Sequence, residues 1–397
     1  MDTLMLFVLV LGFLFVGAPV GLSLGLSSIL YVALFTSESL SSVAISLFGV
    51  GTHYTLLAIP FFILASSFMS TGGVAKRLIR FAIASVGHFR GGLAMASVLA
   101  CMMFAALSGS SPATVVAIGT VAIAGMRQVG YSKEFASGII ANAGTLGILI
   151  PPSIVMVVYA ASVDVSVGRM FLAGVIPGIV AGFMLMLVIY IVARYKNLPA
   201  EKWKGISELL ASGKDAFWGL FLIVIIMGGI YGGVFTPTEA AAAAAVYSAF
   251  VAIFIYRDMG PFKKEPWIRK TDTNDAVIGF KATVYGITLL MVCLILSFFA
   301  LSDVESIKFL DRLQWSLVFS IISMIAYIFW RYQTLHPTKI ILLVYRGFSI
   351  WARNFIIMFK GLLPALGGGE TKQVILDATK TTVMLMFIIA NALIFAH

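Results

Sequence analysis

From Leu4 onward the chain is a series of apolar runs, many of which approach or exceed the ~20 residues a helix needs to cross a bilayer. Hydrocarbon offers the backbone no hydrogen-bond partner. Each peptide group in such a run must be satisfied within the protein, and a helix does this locally. Composition agrees: 60% of the 397 residues are hydrophobic and 11% are charged, where a soluble domain has about 25% charged. Mean hydropathy is +1.04. The expected fold class is an all-α polytopic membrane protein with no soluble domain. The N-terminus lacks a basic leader and a cleavage site, so the run from Leu4 reads as a retained first span.

Two runs between Phe104 and Ser153 are interrupted by small polar residues. The first break is LSGSSPAT at 107–114, and the second is NAGTLGILIPPS at 142–153. Pro112 removes an amide donor and disfavours helix at Ser111. Gly109, Gly144 and Gly147 permit backbone shapes that other residues resist. Unwound backbone survives at membrane depth only inside protein or beside a wet cavity. Two breaks so close in sequence point to discontinuous helices around a small-ion or substrate site. A pair of kinked helices with no ligand is the plainer alternative.

Charge sets the expected topology. The net charge is +10, but the cations cluster in short loops, the pattern of membrane orientation rather than of nucleic-acid binding. Read as one span, 91–125 puts Arg127 and Lys133 on the face opposite Arg90. Read as a re-entrant hairpin, it keeps them on one face, which the charge rule favours. The expected inner loops then contain Lys76, Arg77, Arg80 and Arg90; Arg127 and Lys133; and the basic stretches 194–214 and 257–270. The outer loops contain only Arg169. The N-terminus and the hairpin mouth are therefore expected in the cytoplasm.

The remaining expected elements are a long span over 4–34 with an irregularity at 17–21, a span over 54–72, a broken span over 135–163 and a span over 170–193. An interfacial turn over 203–213 precedes spans over 216–235 and 240–256. Spans over 276–301 and 314–330 flank a loop with Lys308 and Arg312. Residues 340–366 suit a helix lying at the inner interface, 367–370 a flexible joint, and 381–396 a last span.

Hydroxyls and freed carbonyls suit sodium, a hard cation that prefers oxygen. Ser108 and Ser111 share a face if the turn stays helical. Carbonyls near Gly147, Ile150 and Pro152 are freed because Pro151 and Pro152 cannot donate to them. These five residues form the candidate sodium site, with Ser and Thr back-bonding to helix carbonyls as the alternative. The amides around Ser110, Ser111 and Thr114 open a new half-helix whose positive end can face a carboxylate. Ser110, Thr114, Asn142 and Thr145 are the candidate substrate residues, with helix-to-helix bonding the alternative for the last two. Glu239 after Thr236-Pro237-Thr238 reads first as a helix cap, with a coupling role as its alternative. Cys101 and Cys293 give no disulfide framework and no metal spacing, and the four histidines are scattered. No catalytic cluster is present in the sequence, so an enzyme is not expected, and no cofactor beyond a coupling ion is.

The segments SGSSPATVVAIGT at 108–120, GTLGILIPPSIVMVVYA at 144–160, IPGIV at 176–180 and YGGVFTPTEAAA at 231–242 resemble the large membrane subunit of tripartite ATP-independent periplasmic (TRAP) transporters. The resemblance runs to about residue 267 and resumes over 345–397. YRDMGPFKKEPW and MFIIANALIFAH are most similar to the C4-dicarboxylate branch. It implies a sodium-driven importer of organic acids in a bacterial inner membrane, working by an elevator motion. Its partners would be a small membrane subunit, a periplasmic substrate-binding protein and membrane lipid, with no nucleic acid. Sodium would sit at the broken elements, which fall on Ser108, Ser111, Gly147, Ile150 and Pro152 here.

On that basis 1–214 is a first membrane repeat with a hairpin and a broken helix, and 215–270 starts a second, inverted repeat. Residues 271–340 form a two-span insert without counterpart, and 341–397 an interfacial helix and a last span. No stretch after 271 repeats SGSSPAT or GILIPPS, so a C-terminally truncated chain with an incomplete second repeat is expected. A membrane scaffold that assembles without transporting is one alternative function. A TRAP subunit for sialic acid or another organic acid is the other.

Overall fold

A computed structural model describes residues 2–36, 39–263, 265–300, 309–332 and 336–396. Lys264, Leu301, Lys308 and His397, which enter the expectations above, lie outside the described residues. Among the described residues the chain is helical and contains no strand. The helices are α1 (Asp2–Phe15), α2 (Val20–Phe35), α3 (Leu40–Thr52), α4 (Ala58–Thr71), α5 (Val74–Val86), α6 (Gly92–Ser108), α7 (Ser111–Gln128) and α8 (Lys133–Leu149). They continue as α9 (Ile154–Ser162), α10 (Val167–Tyr195), α11 (Gly205–Tyr231), α12 (Pro237–Phe250), α13 (Asn274–Ala300), α14 (Phe309–Tyr332), α15 (Pro337–Gly367) and α16 (Gly369–Ala396). Eight helical stretches among the described residues are long and apolar enough to cross a membrane, or nine if α8 and α9 form one broken span.

Four expected elements differ in detail. The run 4–34 is two helices, because Gly17 takes the left-handed φ of +89° and Pro19 precedes a fresh start at Val20. The cation-free stretch 35–53 contains α3. Within the interfacial turn expected over 203–213, α11 starts at Gly205 and runs unbroken to Tyr231. The last span begins earlier than expected, at Gly369, leaving Gly368 in extended backbone as the joint.

The chain divides into two compact units: residues 1–230, 235–252 and 373–397, and residues 231–234 and 253–372. In the first, the alanine-rich α12 packs along α4. Small residues let the two backbones approach, and a Cβ added to Gly72 would meet the Ala252 Cα at 2.9 Å. The start of α12 carries a capping box: the Thr236 amide donates to the Glu239 carboxylate at 2.8 Å, and the Glu239 amide donates to Thr236 Oγ1 at 3.3 Å. That is the cap expected for Glu239. The chain reverses after α6, and α7 returns antiparallel to it, so that Gly125 near the end of α7 lies beside Leu93 at the start of α6. This is the hairpin that loop charge favoured.

In the second unit α13 packs against α14 and α15. The α13–α15 crossing is glycine on glycine: a Cβ on Gly347 would lie 2.5 Å from the backbone of Gly279. Arg353 of α15 donates to both oxygens of Asp272, and Arg346 and Tyr332 donate to Asp275. Arg257 is buried, lies 4.2 Å over the Trp267 ring and donates to Asn354 Oδ1 at 2.8 Å. The opposite side of α15 exposes Tyr345, Phe348, Phe355 and Phe359; α15, expected at the interface, is by length and apolarity also one of the eight described helical stretches that could cross a membrane.

Candidate functional site

The two breaks form where the sequence interrupts its apolar runs. α6 ends at Gly109, whose φ of +59° lies in the left-handed region that glycine enters freely. Its amide bonds back to the Ala105 carbonyl at 2.9 Å. Ser110 is extended, and α7 starts at Ser111 with Pro112 in its first turn, where a missing amide costs nothing. The second break follows α8. Ile150 is extended, the Pro151-Pro152 bond is cis, and Ser153 is extended before α9. The α8 and α9 axes differ by 42°. Because neither proline has an amide hydrogen, the Gly147 and Ile148 carbonyls receive no helical donor from them.

The breaks meet. The Ile154 amide donates to the Gly109 carbonyl at 3.0 Å. A Cβ on Gly109 would lie 2.5 Å from the Pro152 carbonyl oxygen. A Cβ on Gly147 would lie 3.1 Å from the Ser111 amide nitrogen and 3.3 Å from the Ser110 carbonyl carbon. Glycine at 109 and 147 is thus what allows one unwound segment to lie on the other. α10 packs against the second break. Its Gly174 and Gly178 approach the backbone of Leu149 and Ile150, with a Cβ on Gly178 3.3 Å from the Ile150 nitrogen.

The hydroxyls at this junction fall into two groups. Ser108 and Thr114 are fully buried and mutually hydrogen-bonded, with Oγ to Oγ1 3.0 Å apart. Thr114 Oγ1 also donates to the Ser110 carbonyl at 3.0 Å. The Ser111 and Ser153 hydroxyls are buried and have no hydrogen-bond partner among the described residues. A buried hydroxyl without a hydrogen bond costs about 1–3 kcal/mol, so two at one junction call for an explanation. No Asp, Glu, Lys, Arg or His lies within 93–126 or 135–163. The donor set is therefore neutral oxygen, from hydroxyls and freed carbonyls. This fits a hard monovalent cation better than a soft metal. Among the described residues no cluster of three or more His, Cys, Asp or Glu exists that could hold a metal ion.

Of the residues singled out from sequence, Ser108, Ser110, Ser111, Thr114, Gly147, Ile150 and Pro152 come together at this junction. Asn142 and Thr145 do not join it. Both are exposed on α8, where Asn142 Nδ2 donates to the Gly138 carbonyl at 2.8 Å and Thr145 Oγ1 to the Asn142 carbonyl at 2.7 Å. They face outward one helical turn apart, with Ile148 continuing the same exposed stripe. Sequence reasoning missed Ser153. Its signal was a hydroxyl placed directly after the two prolines, where the chain must stay extended before α9 begins.

A family model described as the DctM component of the tripartite ATP-independent periplasmic transporter matches residues 7–344. Vibrio cholerae has a "C4-dicarboxylate TRAP transporter large permease protein DctM" that is 67% identical over 279 residues, 70% of this chain and 60% of that protein. The protein of the same name from Pseudomonas aeruginosa is 67% identical over 237 residues, 60% of this chain and 56% of that protein. A "Sialic acid TRAP transporter large permease protein SiaM" of Vibrio cholerae is 35% identical over 282 residues, 70% of this chain and 65% of that protein. The chain spans about 60% of the length of the first of these relatives. It belongs to the family of DctM components of tripartite ATP-independent periplasmic transporters.

Proposed function

We propose that this chain serves TRAP-mediated import of C4-dicarboxylates as the large membrane subunit, with sodium as the coupling ion. It works in a bacterial inner membrane beside a small membrane subunit and a periplasmic binding protein. As a transporter component it is not an enzyme. Family membership supports the transport class. The substrate is supported by the names of the two relatives at 67% identity, against 35% for the sialic acid relative.

One observation carries the sodium reading: two buried, unpartnered hydroxyls, Ser111 and Ser153, at a junction of two unwound segments with no formal charge. A sodium ion supplies what these oxygens lack. Ser108, Ser111, Ser153 and the carbonyls near Gly147, Ile150 and Pro152 would hold it. The amide end of α7 at Ser110 to Thr114 carries partial positive charge and favours a substrate carboxylate. Asn142 and Thr145 offer further polar groups on the exposed side of α8.

The test is succinate uptake into proteoliposomes containing this chain, the small subunit and the binding protein. Uptake that follows an inward sodium gradient, and ceases when potassium replaces sodium, is expected. Uptake of equal rate in sodium and potassium would refute sodium coupling. Uptake of sialic acid but not succinate would refute the substrate.

A further inference from the structure

We propose that a cavity of the first unit, between α5 and the start of α11, binds the phosphate headgroup of an anionic phospholipid. The cavity has about 180 Å3 and is lined by Lys76, Arg80, Lys204 and Glu208 over a floor of Ile79, Ile83 and Ala84. Loop charge puts both of its walls at the cytoplasmic face, since Lys76 to Arg90 and 194–214 are two of the basic inner stretches.

Its charges are not equally available. Arg80 donates to Glu208 at 2.8 Å and to Asp215 at 2.6 Å. Those two contacts fix α5 against α11 and satisfy that guanidinium. Lys204 meets Glu201 only at 3.6 Å, with the lysine largely in solvent and the glutamate half-buried, a geometry that contributes little. Lys76 is exposed and has no ionic partner among the described residues. Two ammonium groups thus face a cavity whose carboxylate is already bound. A phosphate diester is the complementary charge.

The surroundings distinguish a lipid from a free phosphate ion. Trp203, Ile206 and Leu210 flank Lys204 and expose 49%, 67% and 68% of their surface. An indole next to a lysine, followed by protruding aliphatic side chains, is what the boundary between headgroup and acyl chain favours. Basic pockets between helices on the cytoplasmic side are suited to anionic headgroups. A soluble anion would gain nothing from the apolar rim.

The test uses the whole chain in lipid nanodiscs containing equal fractions of either brominated phosphatidylglycerol or brominated phosphatidylcholine. The contribution of Trp203 is isolated as the fluorescence difference between the chain and its Trp203→Phe variant. Bromine should quench that difference preferentially when carried by phosphatidylglycerol. Each lysine is expected to contribute about fivefold in relative affinity, so Lys76→Gln with Lys204→Gln should reduce the preference about 30-fold. Lys76→Arg with Lys204→Arg should retain it. No preference in the unmodified chain, or the same preference in the double glutamine variant, would overturn the proposal. Loss of the preference on adding inorganic phosphate at constant ionic strength would overturn the lipid in favour of a free ion.

Discussion

Replacing Gly109 by alanine tests whether the two breaks bear on one another. Two separate effects add. The first is local: at φ +59° a Cβ is strained, at about 1–2 kcal/mol. The second is tertiary: the new Cβ falls 2.5 Å from the Pro152 carbonyl oxygen. That atom is backbone and cannot swing away, so either α6 or the Pro-Pro segment must shift. Overpacking of this kind costs about 1–3 kcal/mol. A shift also threatens the 3.0 Å bond from the Ile154 amide to the Gly109 carbonyl. The expected loss is about 2–5 kcal/mol. Gly130 supplies the control, because its φ is +96° and a Cβ there meets nothing within 4 Å. Gly130→Ala should show the local effect alone. Thermal unfolding of the purified chain in one detergent, followed by tryptophan fluorescence, compares the two variants. Equal loss in both would refute the packing of the first break on the second.

Ser153→Ala and Ser111→Ala remove hydroxyls that the protein leaves unpaired, so each should leave unfolding in potassium unchanged or raise it slightly. Both should abolish any extra stabilisation by sodium, which a melting series in the two salts would detect. Thr236→Ala removes one half of the capping box on α12 and should destabilise the first unit by about 1 kcal/mol, read as a lower unfolding midpoint. The Arg353 guanidinium beside Asp272 holds that carboxyl below the usual carboxylate range. A lowered acid contributes stability above its unfolded value near 4, and loses it as pH falls through the lowered value. Asp272→Asn should therefore melt earlier than the unmodified chain at pH 7, and the gap should close in strong acid. A gap that persists there would refute the ion pair as its cause.

Much of the membrane organisation was legible in the sequence because lipid removes choices. Apolar run length located most helices, and Gly109, Pro112, Pro151 and Pro152 located the breaks. The antiparallel return of α7 was legible from Arg90, Arg127 and Lys133, since orientation depends on where cations sit. What was not legible depended on continuity and packing. Polar residues at 203–213 looked like a separate turn, yet α11 starts among them at Gly205 and continues into the apolar run, with Arg80 of another helix bound to its Glu208 and Asp215. Gly17 and Pro19 were read as an irregularity, whereas the left-handed turn ends one helix and starts another. At the site, composition could rank hydroxyls but not pair them. Ser108 and Thr114 satisfy each other, Asn142 and Thr145 bond to their own helix, and the unpartnered oxygens are Ser111 and Ser153. Only the fold distinguishes these cases.

The central claim is that the Ser-Gly and Pro-Pro segments form one cation site. Hydrogen exchange of the purified chain, measured in sodium and in potassium at equal ionic strength, addresses it most directly. Amides of 108–114 and of 147–154 should slow together as sodium is added, along one titration curve. Sodium that slows neither segment, or slows one without the other, would contradict it.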